Sequence, residues 1–165
     1  MPFESEAASK IAQRRVRPFR ANDSDSILGI LQGSGEAAQW PAESYVNLTT
    51  SPGGMLLVCE MQFPVRLVGF LAARKAADEA EILNLAVHPH FRRIGIASDL
   101  LLRALNEFKH SAVTRVFLEL RASNLPARTL YQRFGFLPIG TRTAYYREPS
   151  EDAICMQRKL PAVSL

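Results

Sequence analysis

The side chain best placed to do chemistry is a carboxylate set among apolar neighbours, Glu119 in the run Phe117-Leu-Glu-Leu-Arg-Ala-Ser-Asn124. A carboxylate flanked by Leu118 and Leu120 costs desolvation energy unless it is paired or useful. Two readings are open. Glu119 is an ion-pair partner of Arg121 or another arginine, or it is a general base whose pKa partial burial raises toward neutrality. Tyr131, in Thr129-Leu-Tyr-Gln-Arg-Phe-Gly-Phe136, stands between apolar neighbours as core tyrosines do, yet carries a hydroxyl able to donate. A third feature is the short basic loop Arg92-Arg-Ile-Gly-Ile-Ala97. It follows a strand-like apolar run and opens a helix-like pattern, so free first-turn amides and the helix dipole favour an anion there. Gly95 allows a ligand to approach the backbone closely, and Ala97 keeps the next position small.

The elements that must hold these residues follow from periodicity. Ile82, Leu83, Leu85, Ala86 and Val87 predict a strand buried on both faces, ended by Pro89. Ala97, Leu100, Leu101, Ala104, Leu105 and Phe108 share one helix face. Val113–Arg121 reads as a strand with Val116, Leu118 and Leu120 on one side and Phe117, Glu119 and Arg121 on the other. Asn124 caps a helix with Pro126 in its first turn and Gly135 as its stop. Upstream, Arg14–Arg20 predicts a strand, Asn22-Asp-Ser-Asp25 supplies caps for a helix, and a second helix covers Ala42–Leu48. Met55–Met61 and Val65–Arg74 predict a hairpin around Phe63-Pro64. Phe136–Tyr146 and Ala153–Leu160 complete the strands, joined by the turn Glu148-Pro-Ser-Glu151. The fold class is α/β (α+β), a mixed sheet of about seven strands flanked by about four helices. One domain over residues 14–165 follows a loose arm over residues 1–13.

Arg92, Gly95 and Ala97 fit the pattern Arg/Gln-x-x-Gly-x-Gly/Ala between strand and helix. The loop resembles the pyrophosphate-binding loop of the GNAT acetyltransferases, and the element order resembles that fold over roughly residues 14–160. Four segments are similar to the ribosomal-protein-alanine N-acetyltransferases, a bacterial branch acting on protein N-termini. They are Glu81-Ile-Leu-Asn-Leu-Ala-Val-His-Pro89, Leu118-Glu-Leu-Arg-Ala-Ser-Asn124, Ala144-Tyr-Tyr146 and Glu151-Asp-Ala-Ile154. Gln39-Trp-Pro-Ala-Glu-Ser-Tyr45 resembles that branch's Trp-Ser-Glu loop, with Pro41 and Ala42 intervening.

The resemblance implies acetyl-CoA as co-substrate and no metal. It implies that Leu85, Ala86 and Val87, with Arg92, Arg93, Ile94, Gly95, Ile96, Ala97, Asn124, Arg128 and Tyr131, bind it. Tyr131 then lies near the coenzyme A sulfur, and a strand bulge leaves an N–H near Val87 to polarise the acetyl carbonyl. Glu119 becomes the base and Tyr131 the acid, while Trp40, Asn84, Tyr145 and Tyr146 face the acceptor. The implied acceptor is a protein or peptide N-terminus, that of a small-subunit ribosomal protein, with no direct nucleic-acid or membrane partner and a monomeric or homodimeric state. A small-amine or lysine acetyltransferase is the alternative within the fold, and a non-catalytic acyl-CoA-binding module is the alternative outside catalysis.

Composition agrees. Of 165 residues, 47% are hydrophobic and 22% charged, as in ordinary globular domains. The net charge of +4 is scattered, with no basic run to track nucleic acid. Cys59 and Cys155 read as buried reduced thiols, which fits a cytoplasmic protein. His88 and His90 read as turn residues and not ligands. Neither cysteine is expected in the site, so the amine attacks the thioester directly, without a covalent enzyme intermediate. The acceptor preference has a physical basis. A peptide α-amine has a pKa of about 7.7–8.0, whereas lysine at about 10.4 needs roughly 2.5 units more, or about 3.5 kcal/mol. One carboxylate acting through water suffices for the former.

Overall fold

A computed structural model describes residues 13–161. The expected arm lies outside the described residues apart from Gln13, whose carbonyl accepts the Gln62 N–H at 2.7 Å. The strands are β1 (Arg14–Pro18), β2 (Gly54–Gln62), β3 (Val65–Ala76), β4 (Glu79–Val87), β5 (Arg115–Arg121), β6 (Leu137–Arg147) and β7 (Ser150–Lys159). The α-helices are α1 (Ser24–Gln32), α2 (Ala42–Thr50), α3 (Ile96–His110) and α4 (Leu125–Arg133), with 3₁₀ turns at Ala21–Asp23 and Pro89–Phe91. The strands form one mixed sheet in the order β1-β2-β3-β4-β5-β7-β6, with β4 parallel to β5 and β5 antiparallel to β7. No helix among the described residues is long and apolar enough to cross a membrane.

The chain groups into two compact units. One runs to Ala72 and adds Asn84–Ala104; the other comprises Ala73–Leu83 and the chain from Leu105. In the first, Ile27, Ile30 and Leu31 of α1, Tyr45 and Leu48 of α2, and Leu56–Cys59 of β2 are buried. Gly69 on β3 is required by close packing. A Cβ there would stand 3.0 Å from Ile96 Cγ2, 3.1 Å from the Ala86 carbonyl and 3.3 Å from Leu100 Cδ1. The stripe Leu100, Leu101, Ala104, Leu105 and Phe108 on α3 is buried as its spacing predicts. Each such leucine contributes about 1.5–3 kcal/mol of transfer free energy.

Charge fixes β1 to β2. Arg15 stands opposite Glu60, and Arg17 Nη2 lies 2.7 Å from Glu60 Oε2. The Asp23 carboxylate, expected as a forward cap, turns back to accept from the Arg20 N–H at 2.7 Å and pairs with Arg17 at 2.8 Å.

The strand β4 corrects one expectation. Ala80, Ile82, Asn84 and Ala86 are buried, but Leu83, Leu85 and Val87 are only half-buried and Glu81 is exposed. A continuous apolar run here packs one face and leaves the other partly open.

Candidate active site

In the first unit, the segment between α1 and α2 is tied to β4 by one amide. Asn84 Nδ2 donates to the Ala38 carbonyl at 2.8 Å and to the Tyr45 hydroxyl at 3.0 Å, and its Oδ1 accepts from the Ala38 N–H at 3.3 Å. The Trp40 ring rests 5.3 Å from that of Tyr45. Asn84 is therefore buried and committed within the protein, and it positions the segment that carries half-buried Trp40. Burial pushes the Tyr45 phenol up to about 12, against the lowering effect of the Asn84 hydrogen bond.

The basic loop has two braces. Arg92 Nε donates to the Val87 carbonyl at 3.0 Å, and Nη2 donates to Ser34 Oγ at 3.0 Å and pairs with Glu36 at 2.8 Å. Its guanidinium fastens the start of the loop to the end of β4 and to the segment after α1. Arg14 holds the other end, with Nη1 donating to the Ile94 carbonyl at 2.6 Å and Nε pairing with Asp99 at 2.7 Å. Between them Arg93 has φ 65° and Gly95 φ 90°, an unusual pair of left-handed turns. Arg93, Ile94 and Gly95 are exposed, Ile96 is buried and Ala97 half-buried. The helix starts at Ile96, so its first amides face the loop without intrahelical partners. Beside the loop, the His88 N–H is taken by the Val68 carbonyl at 2.8 Å.

The second unit contains Glu119. The ladder of β4 with β5 runs from Glu79–Arg115 to Ile82–Leu118 and stops one residue short of it. On the other side Glu119 is opposite Cys155 of β7. Its Oε1 accepts from Arg142 Nε at 2.7 Å and from the Cys155 thiol at 3.8 Å. Arg121 goes elsewhere, to the Glu148 and Pro149 carbonyls and Glu151, and stacks 4.2 Å over the Tyr146 ring.

Tyr145 and Tyr146 reach this cluster through irregular backbone. The register of β6 on β7 shifts between Arg142 and Tyr146, where Ala144 has φ 50° and its N–H donates to Asp152 Oδ1 at 2.8 Å. The two tyrosine rings meet edge to face at 5.3 Å. Hydrogen bonding to Glu119 holds the Tyr145 phenol above its ordinary pKa. Burial, followed by the Glu119 charge, does the same at Tyr146. Glu81 joins the cluster: desolvation, then the neighbouring Glu119 charge, keeps its carboxyl above the usual range. The Cys155 sulfur and the Glu119 charge together raise the Arg142 guanidinium.

On α4, Asn124 Oδ1 accepts from the Ala127 N–H at 3.2 Å, the expected cap. The Tyr131 ring is buried, edge-on to Phe136 at 5.5 Å. Burial alone pushes its phenol well above the ordinary value, so it is a poor proton source but an intact hydrogen-bond donor. Arg128 is half-buried on the same helix.

Two expectations about cysteine change. Cys59 is buried and its thiol is raised to about 11 by desolvation, but Cys155 is only half-buried and touches Glu119. A thiol does lie in the candidate site, so its absence is no ground for direct attack. Sequence reading also missed Glu81, Arg142 and Arg14. Strand pairing and a bulge bring the first two to Glu119, and neither leaves a mark in residue spacing.

Residues 21–136 match the model of the acetyltransferase (GNAT) family. A Bacillus subtilis (strain 168) relative is 34% identical over 142 residues, covering 86% of this chain and 92% of its own. The [ribosomal protein bS18]-alanine N-acetyltransferase of Escherichia coli (strain K12) is 36% identical over 116 residues, 69% of this chain and 71% of that one. The crystal structure of the ribosomal-protein-S18-alanine N-acetyltransferase from Escherichia coli superimposes with a TM-score of 0.78 at 25% identity, over 92% of this chain and 98% of that one. The chain belongs to the acetyltransferase (GNAT) family.

Proposed function

We propose that the chain is an acetyl-CoA-dependent N-acetyltransferase acting on the N-terminal α-amine of a protein, with the alanine of ribosomal protein bS18 as the acceptor. The relatives that carry this activity in their names support the acceptor. The observation that carries the chemistry is the Glu119 cluster, in which one half-buried carboxylate is surrounded by Arg142, Tyr145, Tyr146 and Glu81.

In this reading, the amides of the loop and first helical turn, Arg93–Ala97, hold the pyrophosphate of acetyl-CoA, and Arg92 keeps the loop in shape. Leu85, Ala86 and Val87 line the acyl-CoA, with Asn124 and Arg128 on its other contacts. Glu119 takes a proton from the acceptor ammonium. The free amine forms the new N–C bond at the thioester carbonyl, the C–S bond breaks, and the second ammonium proton leaves the new amide nitrogen for water. Tyr131 donates a hydrogen bond to the departing thiolate and keeps its own proton, consistent with its raised pKa. Trp40 and Tyr145 contact the peptide, Tyr146 is held beneath Arg121, and Asn84 acts through the segment it braces.

The test is a panel of peptides beginning with Ala, Ser, Thr, Gly or Met, with the bS18 N-terminal sequence among them, assayed beside free lysine and polyamines. Preferred acetylation of the Ala peptide at its α-amine is expected. Transfer to lysine or polyamines alone overturns the acceptor class, and acetyl-CoA binding without transfer to any of them overturns catalysis. Intact mass after incubation with acetyl-CoA alone checks direct attack: a stable acetyl adduct on Cys155 contradicts it.

A further inference from the structure

We infer that Arg142 occupies the seat of the acceptor's α-ammonium group in the resting site, and that an incoming N-terminus binds by displacing it. This rests on the reading of Glu119 as the residue that receives the acceptor amine. A guanidinium and an ammonium offer the same thing to a carboxylate oxygen, a charged N–H donor, and Arg142 Nε already sits 2.7 Å from Glu119 Oε1.

Three features make this contact a removable one. The Arg142 side chain is 59% exposed against 19% for Glu119, so the cation is the outer member of the pair. Such outer cations are weakly held, because water replaces what they lose. Arg142 also lies on β6, which forms one edge of the sheet, immediately before the register shift that ends at Tyr146. Finally, its guanidinium carbon is 5.3 Å from the Tyr145 ring centre while Nε is on Glu119, so a cation leaving the carboxylate can keep the ring contact.

Arg121 provides the contrast within the same unit. It is fastened to the Pro149 and Glu148 carbonyls and to Glu151, and its side chain is 18% exposed. Arg121 is a structural clamp, whereas Arg142 has Glu119 as its single ion-pair partner among the described residues. Charge around the seat points the same way. Glu81, raised first by desolvation, also feels the charge of Glu119, with Arg74 and Arg142 acting against it, so a second carboxylate stands beside the seat.

The full-length Arg142→Ala protein tests this, using an Ala-starting peptide and calorimetry in the presence of coenzyme A. Peptide affinity should tighten roughly 3- to 10-fold, the factor expected if the seat is free only about a third to a tenth of the time. Acetyl-CoA affinity should not change. Dilute guanidinium chloride should inhibit Arg142→Ala competitively against peptide, more strongly than wild type, because the vacated seat accepts the free ion. Unchanged or weakened peptide affinity overturns the inference. So does a slowed Arg142→Ala enzyme whose rate guanidinium restores, since that makes Arg142 a positioning residue for Glu119. Arg142→Gln carries the same measurements if the alanine variant does not fold. Glu119→Gln with wild-type kcat/KM refutes the underlying reading. An impaired Glu119→Gln together with unaltered peptide affinity in Arg142→Ala refutes this inference alone.

Discussion

Asn84 on β4 donates to the Tyr45 hydroxyl on α2 at 3.0 Å, with both side chains buried, and the same amide reaches the Ala38 carbonyl at 2.8 Å. One side chain thus fixes the segment that bears Trp40. Removing it takes the 3.0 Å donor from the buried Tyr45 hydroxyl, which is left with a 3.5 Å bond to the Ala38 carbonyl, and costs about 1–3 kcal/mol. Asn84→Ala is expected to lower the melting temperature and raise the peptide KM while acetyl-CoA affinity stays constant. A KM unchanged in the folded fraction would separate the brace from acceptor binding.

At Gly95 the prediction concerns the cofactor. With φ at 90°, any L residue is strained there by about 1–3 kcal/mol, and an added Cβ would stand 3.1 Å from Arg14 Nη2. Gly95→Val should disturb both the loop backbone and the Arg14 brace and so weaken acetyl-CoA binding. Calorimetry on the folded variant decides: wild-type affinity would remove the loop from the pyrophosphate.

Stability should depend on the charges that join β1 to β2. The Arg17 hydrogen bond holds the Glu60 carboxyl below the usual range despite its burial. At Asp23, burial pushes upward but the Arg17 and Arg20 hydrogen bonds outweigh it. A depressed folded-state pKa means the unfolded chain binds more protons at acid pH, so stability rises with pH there. The contribution is complete above the ordinary carboxylate range and is lost as pH falls through the lowered values. Melting temperature should therefore be flat near neutrality and fall steeply below the ordinary carboxylate range. Arg17→Met leaves two buried carboxylates without their shared cation and should cost about 3–5 kcal/mol at neutral pH. Thermal melts at several pH values measure both effects.

What the sequence disclosed and what it hid divide along physical lines. The α3 stripe and the Asn124 cap were legible, because both are local patterns with a fixed period or offset. Glu119 was legible as a carboxylate needing a reason, but its partner was not. Arg121 is the nearer arginine in the chain, yet the neighbour is Arg142, delivered by two antiparallel registers and a bulge. Cys155 was hidden in the same way, since only pairing of β5 with β7 sets it opposite Glu119. On β4 the apolar run was read correctly as a strand, but hydrophobicity alone did not tell which face is left open.

Tyr131→Phe isolates one hydroxyl. The ring would remain edge-on to Phe136, so melting temperature should stay near wild type. Loss of a directed donor to the leaving thiolate should lower kcat by about 10²–10³ without changing acetyl-CoA affinity. Wild-type kcat would make Tyr131 a core residue and nothing more.

Glu119→Gln tests the reaction and its acceptor together. The substitution keeps the shape and removes the base, so kcat/KM for an Ala-starting peptide should fall by roughly 10²–10⁴ near neutral pH. The deficit should shrink as pH rises past the α-amine pKa of about 8, where the nucleophile is already neutral. Folding should survive, because the lost partner, Arg142, is mostly exposed and such pairs are worth about 0–1 kcal/mol. A structural role predicts the reverse, a lower melting temperature with a rate loss independent of pH. Glu81 supplies a second readout. Desolvation and then the Glu119 charge raise its pKa, so Glu119→Gln should let it fall back toward its ordinary value, visible by NMR titration of the side-chain carboxyl. Glu81→Gln is the control for the base itself. If that variant loses rate with the expected pH dependence while Glu119→Gln does not, the proton goes to Glu81, and Glu119 serves only to anchor Arg142.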